Sequence, residues 1–242
     1  MPAAVVLGAR HLGGAIIDRL VADGYSVAGV AQSDDTLEAI RARGATGLRA
    51  DARDGEQLAG ALAEAREQLG GLDLIVNAIS VVKPRPGEPH GGGPIAEGTL
   101  DDYRHWGVPI GELAFVFLSE GARALRAGGS GGTLIQVTNS ASRRADPGMG
   151  MWAAGHHALR ALVTSAAQEL REEGIRVCLM RVDGPIESAK TVERLKNEGI
   201  PREAATDQDE IAAAVAYLAT ADDRAMTYEL AVTASGRPPM IV

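Results

Sequence analysis

Apolar residues along this chain follow two alternating patterns. Short aliphatic and β-branched runs at Ala3 to Leu7, Ser26 to Ala31, Gly47 to Ala50, Leu72 to Asn77, Thr133 to Val137, Ile175 to Val182 and Leu230 to Thr233 predict seven buried strands. Between them, apolar residues recur three and four positions apart, the spacing of one helical face. Ile16, Ile17, Leu20 and Val21 mark a helix over Gly13 to Asp23; Leu58, Ala61, Leu62 and Ala65 mark another over Asp54 to Leu69. A shorter helix over Asp35 to Arg43 closes at Gly44. Leu159, Leu162, Val163, Ala166 and Leu170 form the stripe of a long helix over Trp152 to Glu173, and Ile211, Val215 and Leu218 that of Asp207 to Ala219. Strand followed by helix throughout implies parallel strands joined by right-handed crossovers. The expected fold is α/β, a doubly wound parallel sheet of about seven strands with helices on both faces, in one domain over 1–242.

Two stretches break the alternation. Residues 79–98 contain V-V-K-P-R-P-G-E-P-H-G-G-G-P, a loop by its proline and glycine content. A helix starts at Thr99 or Asp101, is interrupted at Pro109, and resumes from Glu112 to Leu125. Residues 183–208 form a loop and short helix expected beside the substrate. With 242 residues and 45% apolar composition the chain can bury one sizeable core, and no repeat or linker divides it. A net charge of −8 without a basic cluster repels phosphate backbones, which excludes nucleic acid as a partner class. Cys178, the only cysteine, lies in the apolar run V-C-L-M and reads as a small buried hydrophobe. No apolar run approaches the ~20 residues that span a bilayer. The N-terminus lacks a basic region before an apolar run, so a soluble cytoplasmic protein is expected. The histidines lack ligand spacing with carboxylates or cysteine, so no metal site is expected.

The candidate chemistry starts at Gly8 to Gly14, which follows the first strand and opens the first helix. That context lets backbone amides at a helix N-terminus meet a pyrophosphate, as in a Rossmann-type fold. With A50-D51-A52, L72-D73-L74-I75-V76-N77, P147-G148-M149, D183-G184-P185-I186-E187-S188, and the stretch from Glu210 to Gly236, it resembles the short-chain dehydrogenase/reductases over nearly the whole chain. The resemblance implies a dinucleotide site at Gly8, Arg10, Leu12, Gly14, Asp51 and Asn77. Gly8 and Gly14 take the places of the family's first and third glycines, and Leu12 that of the middle one. A leucine there intrudes on the phosphates unless the turn is rebuilt. The second strand ends in Ala31, Gln32 and Ser33, without a carboxylate for ribose hydroxyls, while Arg10 and His11 could serve a 2'-phosphate. The expectation is no NAD(P), or weakly bound NAD(P).

In the family a tyrosine transfers the carbonyl proton, a lysine lowers its pKa and holds the ribose, a serine orients the substrate and an asparagine supports a water relay. Their places fall on Trp152, His156, Asn139 and Glu112. An indole N–H does not give up a proton near pH 7, so tyrosine chemistry is lost there; Ser140 stands one residue from the serine position. Three readings follow. The first is a non-catalytic subunit that pairs with a competent dehydrogenase/reductase subunit, acting on a hydroxyacyl or ketoacyl substrate. It would assemble as a hetero-oligomer or homodimer through helices 112–125 and 152–173. The second is a non-redox acid/base enzyme using His156 and His157, with Asp146 and Glu112 near. The third is an atypical NAD(P)-dependent oxidoreductase.

Overall fold

The computed structural model describes residues 1–221 and 226–237. Its seven strands are β1 (Ala3–Leu7), β2 (Ser26–Ala31), β3 (Thr46–Arg49), β4 (Leu74–Asn77), β5 (Gly132–Asn139), β6 (Ile175–Asp183) and β7 (Glu229–Thr233). They form one sheet in the order β3-β2-β1-β4-β5-β6-β7. Every pairing is parallel. The expected single doubly wound domain is therefore present. The C-terminal stretch that carried part of the resemblance includes residues 222–225, which lie outside the described residues.

Among the described residues there are eight α-helices: α1 (His11–Ala22), α2 (Asp34–Ala42), α3 (Gly55–Leu69), α4 (Leu100–Trp106), α5 (Val108–Gly128), α6 (Gly150–Glu169), α7 (Ala189–Asn197) and α8 (Gln208–Thr220). On one face, Leu58 and Leu62 of α3, Phe117 and Leu125 of α5, and Leu159 and Val163 of α6 pack on Val5, Ile75 and Leu134. On the other, Ile16 and Leu20 of α1, Ile40 of α2, and Ile211 and Val215 of α8 pack on Val6, Val76 and Met180. Cys178 lies wholly inside the second core, and burial pushes its thiol up to about 11, as expected of an inert hydrophobe.

Local chemistry sets the helix boundaries. Asp54 accepts from the amides of Glu56 and Gln57, and Gly70 ends α3 at φ +75°. Thr99 and Asp102 form a reciprocal capping box on α4. Pro109 does not interrupt a helix, as its position suggested; it lies in the first turn of α5, where its missing N–H would have had no intrahelical partner anyway. Helix α6 begins two residues before Trp152 and gives way after Glu169 to a 3-10 turn at Arg171–Glu173. Helices α5 and α6 approach closely because residue 155 is glycine: a Cβ there would lie 2.9 Å from the Ile110 Cβ.

Candidate functional site

Strand order reverses between β1 and β4, and at that point the carboxyl ends of the strands open a cleft of about 1140 Å³. Gly8, Asp51, Ile79, Thr138, His156 and Ser188 line it, so the glycine turn, the fourth and fifth strand ends and the 183–208 loop converge there.

The glycine turn is one residue tighter than the sequence comparison implied. Gly8 has φ +84°, Arg10 is the extended N-cap, and α1 begins at His11. Gly13 lies against Gly8: an added Cβ would meet the Gly8 carbonyl oxygen and lie 2.8 Å from the carbonyl carbon. At Gly14 the nearest atoms it would meet belong to the Arg43 guanidinium, from 3.0 Å. The glycine allowing helix and strand to approach is therefore Gly13, and the run G8-A9-R10-H11-L12-G13 has the spacing G-x-G-x-x-G with Arg10 at the middle place. Leu12, expected to intrude on the phosphates, is 7% exposed and packs in the core beneath α1, and it also lines the cleft beside His11. The first turn of α1 carries no acidic residue and no side-chain cap, and Arg10 and His11 are exposed beside it. Free amides, a positive helix end and a cation suit an anionic diphosphate.

At the outer end Arg53 clasps Asp51 with two side-chain bonds of 3.0 and 2.6 Å. The side-chain bond from Arg53 is the main reason the Asp51 carboxyl sits below the usual carboxylate range. Ser33 and Thr36 share a hydroxyl bond of 2.8 Å, and Arg49 is engaged by Asp34 and the Gln32 carbonyl. Under the cleft, buried Asn77 donates to Gln136 at 3.0 Å and accepts from the Ile79 amide at 3.2 Å, which fixes the turn after β4.

The inner end holds Trp152, His156 and Asn139. His156 is 8% exposed, and burial brings its imidazole down to about 4. Its Nδ1 lies 3.0 Å from Thr138 Oγ1 and its Nε2 lies 3.1 Å from Asn139 Nδ2. Trp152 packs edge-on against His156, with centroids 4.7 Å apart, and His90 of the 79–98 loop packs on the outer side of Trp152 at 4.9 Å. His90 also meets Trp106, and the Trp106 indole donates to Glu88 at 2.9 Å, so the loop is fastened to α4 and α6 by aromatic contacts. Gly91, Gly92 and Gly93 all have φ between +83° and +93°, and a Cβ at Gly92 would lie 2.9 Å from Trp106 Cδ1. Only glycine threads this path.

Other candidate residues fall elsewhere. Glu112 is exposed and does not line the cleft; the cleft face of α5 is Ile110, Leu113 and Ala114. Pro109 opens the helix, so the face must be read from helical periodicity rather than from the residue count. Ser140 begins a 3-10 turn outside the cleft lining and does not move into the serine position. His157 points outward and bonds the Ala153 carbonyl, while Asp146 pairs with Arg144. The structure therefore does not assemble His156, His157, Asp146 and Glu112 into one site. Arg143, with Arg160, binds Glu229 of β7. Sequence reading missed Thr138; the available signal was a run of polar side chains, Gln136 and Thr138, in a buried central strand. Among the described residues no group of His, Cys, Asp or Glu is set to hold a metal, and no helix is long and apolar enough to cross a membrane.

A family model described as enoyl-(acyl carrier protein) reductase matches residues 7–236. An uncharacterized NAD-dependent oxidoreductase of Mycobacterium tuberculosis is 36% identical over 159 residues, 61% of this chain and 52% of the relative. The sorbitol dehydrogenase of Cereibacter sphaeroides is 30% identical over 70% of this chain and 64% of its own. The matches thus span about half to two thirds of these curated relatives' lengths. Among solved structures, a blue fluorescent protein from a metagenomic library, in complex with NADPH, superposes with a TM-score of 0.76 at 27% identity over 98% of both chains. With the rebuilt glycine turn at the switch point and a family match from Leu7 to Gly236, the chain belongs to the short-chain dehydrogenase/reductase family.

Proposed function

We propose that this chain binds an NAD(P)-type dinucleotide without running the family's tyrosine-dependent carbonyl chemistry alone, and that it supports a competent family member as a subunit. One contrast supports the reading: Gly13 still packs on Gly8 at the helix N-terminus where a phosphate would sit, while Trp152 and a neutral His156 occupy the places of a proton donor and a cation. The α1 amides with Arg10 would hold the diphosphate, Asp51 the adenine end, and Ser33 with Arg10 a 2'-phosphate. When bound, such a cofactor supplies hydride-transfer chemistry. His156 offers its ribose no ammonium charge, which weakens the hold on the nicotinamide end.

The acid/base alternative loses support because His156 is buried, neutral near pH 7, and without a carboxylate partner among the described residues. A specific observation favours assembly. The outward side of α5 and α6 is lined by small residues, Gly111 with Ala158 close by, and by Phe115, which is 59% exposed. Small side chains let helices approach closely, and an exposed phenylalanine gains by being covered. The family model's description, an enoyl-(acyl carrier protein) reductase, is in keeping with an acyl-type substrate for the assembly, and a hydroxyacyl or ketoacyl compound is the one proposed.

Titration of the purified chain with NADPH and NADH, followed by tryptophan fluorescence, is expected to show saturable binding. Incubation with either nucleotide and sorbitol, 2,3-butanediol or an acetoacetyl thioester is expected to show no turnover. Native mass spectrometry of the chain co-expressed with a tyrosine-bearing relative from the same genome should give a mixed oligomer. Turnover by the isolated chain would sink the non-catalytic part of the reading, and a strictly unmixed chain would sink the pairing.

A further inference from the structure

The hydrogen bonds around His156 have a direction that can be read from heavy atoms alone. The Ala141 amide donates to Asn139 Oδ1 at 2.9 Å, so the other end of that side chain, Nδ2, is the one facing His156. A donor at 3.1 Å requires His156 Nε2 to be an acceptor, and a neutral imidazole with Nε2 bare carries its hydrogen on Nδ1. Nδ1–H then donates to Thr138 Oγ1 at 3.0 Å. The threonine oxygen receives a hydrogen bond, and its own hydrogen is left to donate elsewhere. Thr138 is 5% exposed and lines the cleft, and no other hydrogen bond engages its hydroxyl among the described residues.

From this chain of donors we infer that the Thr138 hydroxyl is a ligand-binding group that donates to an acceptor oxygen at the inner end of the cleft. Asn139 and His156 are positioning residues that hold the hydroxyl in the donating sense. Ile110, Leu113, Trp152 and Leu159 line the same cleft and add apolar surface. One directed O–H among apolar walls, beside an uncharged imidazole, suits a neutral carbonyl oxygen better than a carboxylate, whose charge would be desolvated without a counter-ion. The arrangement differs from placing a serine hydroxyl at the Asn139 position: the asparagine there positions a hydroxyl one residue earlier in β5.

The inference rests on the cleft being a ligand site, not on a dinucleotide filling it. Its test uses 4-fluoroacetophenone, with 4-fluorotoluene as a partner probe of similar shape that lacks the carbonyl. Fluorine NMR titrations are run on the whole chain, with and without NADPH. The ketone is expected to bind the wild type more tightly than fluorotoluene does. Thr138→Val, which keeps the shape, should weaken ketone binding about fivefold, the worth of one ordinary hydrogen bond. Thr138→Ser should restore it, and fluorotoluene binding should be the same in all three proteins. Nitrogen-15 spectra of the wild-type imidazoles provide a separate reading and should show His156 with a protonated Nδ1 and a bare Nε2. A protonated Nε2, equal ketone binding by wild type and Thr138→Val, or no ketone preference over fluorotoluene would each overturn the inference. If NADPH fails to bind while the ketone results stand, the dinucleotide reading fails and the role of Thr138 survives.

Discussion

Alanine at Gly13 and alanine at Gly14 should have opposite effects, and the pair tests how the phosphate cradle is built. At Gly13 the new Cβ lies 2.8 Å from the Gly8 carbonyl carbon, closer still to its oxygen, and 3.6 Å from Val6 Cγ1. Ordinary carbon contacts begin near 3.5 Å, so α1 must lift from β1 by about 1 Å, and both crowding atoms of Gly8 are backbone. Overpacking of this kind costs about 1–3 kcal/mol, and the gain in helix propensity from glycine to alanine offsets about 1 kcal/mol of it. A net loss of up to about 2 kcal/mol corresponds to a Tm lower by up to about 8 °C in a chain of this length. At Gly14 the nearest atoms to the Cβ belong to the mobile end of Arg43, from 3.0 Å, whose partner Asp18 is half exposed. Little opposes the propensity gain, so Gly14→Ala should be neutral or stabilising by up to about 1 kcal/mol. Urea midpoints and calorimetric melts measure both, and NADPH titration should show weaker binding only for Gly13→Ala. If Gly14→Ala is the more damaging change, the turn follows the longer spacing and the assignment of Gly13 is wrong.

Three further outcomes can be checked. Burial alone would raise the Glu229 carboxyl, but hydrogen bonds and charge from Arg160 and Arg143 outweigh it and hold the group at about 2. Its folded pKa is depressed, so its contribution is present above the unfolded value and is lost as pH falls toward 2. Glu229→Gln should therefore cost about 1–3 kcal/mol at pH 7 by urea denaturation and much less at pH 3. His156, with a folded value of about 4 against an ordinary 6.5, is neutral when native and charged when unfolded between those limits. Stability should fall as pH drops from 6.5 to 4, and His156→Gln should flatten that slope; an unchanged slope contradicts a buried neutral imidazole. Gly92→Ala, strained at φ +93° and crowding Trp106, should release the 79–98 loop. Faster amide exchange confined to residues near His90 would register it, and unchanged exchange would mean that the loop is held by something other than the glycine path.

The sheet was legible because its inner strands are buried on two sides and the helices packed on it show apolar stripes, as at Ile16, Ile17 and Leu20. Strand ends were less so: β5 continues through Thr138 and Asn139, whose polar side chains carry no apolar signal. Trp152 and His156 were found in the cleft where the family pattern put them, since four residues on a helix preserve a face. Glu112 was misplaced because counting along the chain could not show that Pro109 opens α5, which sets the face that α5 turns to the cleft. The tie between Glu229 and two arginines 86 and 69 residues before it left no local trace.

The all-parallel sheet also fixes when the cleft comes into being. No two neighbouring strands can be joined by a tight turn, so the described residues hold no hairpin from which to nucleate. The pairing of Ala3 with Ser26 closes around a single helix, and Ala28 with Thr46 around another, whereas the pairing of Ala4 with Leu74 closes a longer loop that contains both. Loop-closure entropy favours the shorter units first. The glycine turn belongs to the early unit, and Asn77 with Ile79 to the later one, so the two walls meet only when β4 docks. A ligand bridging them stabilises contacts absent from early assembly. It should slow unfolding and leave the refolding rate nearly unchanged.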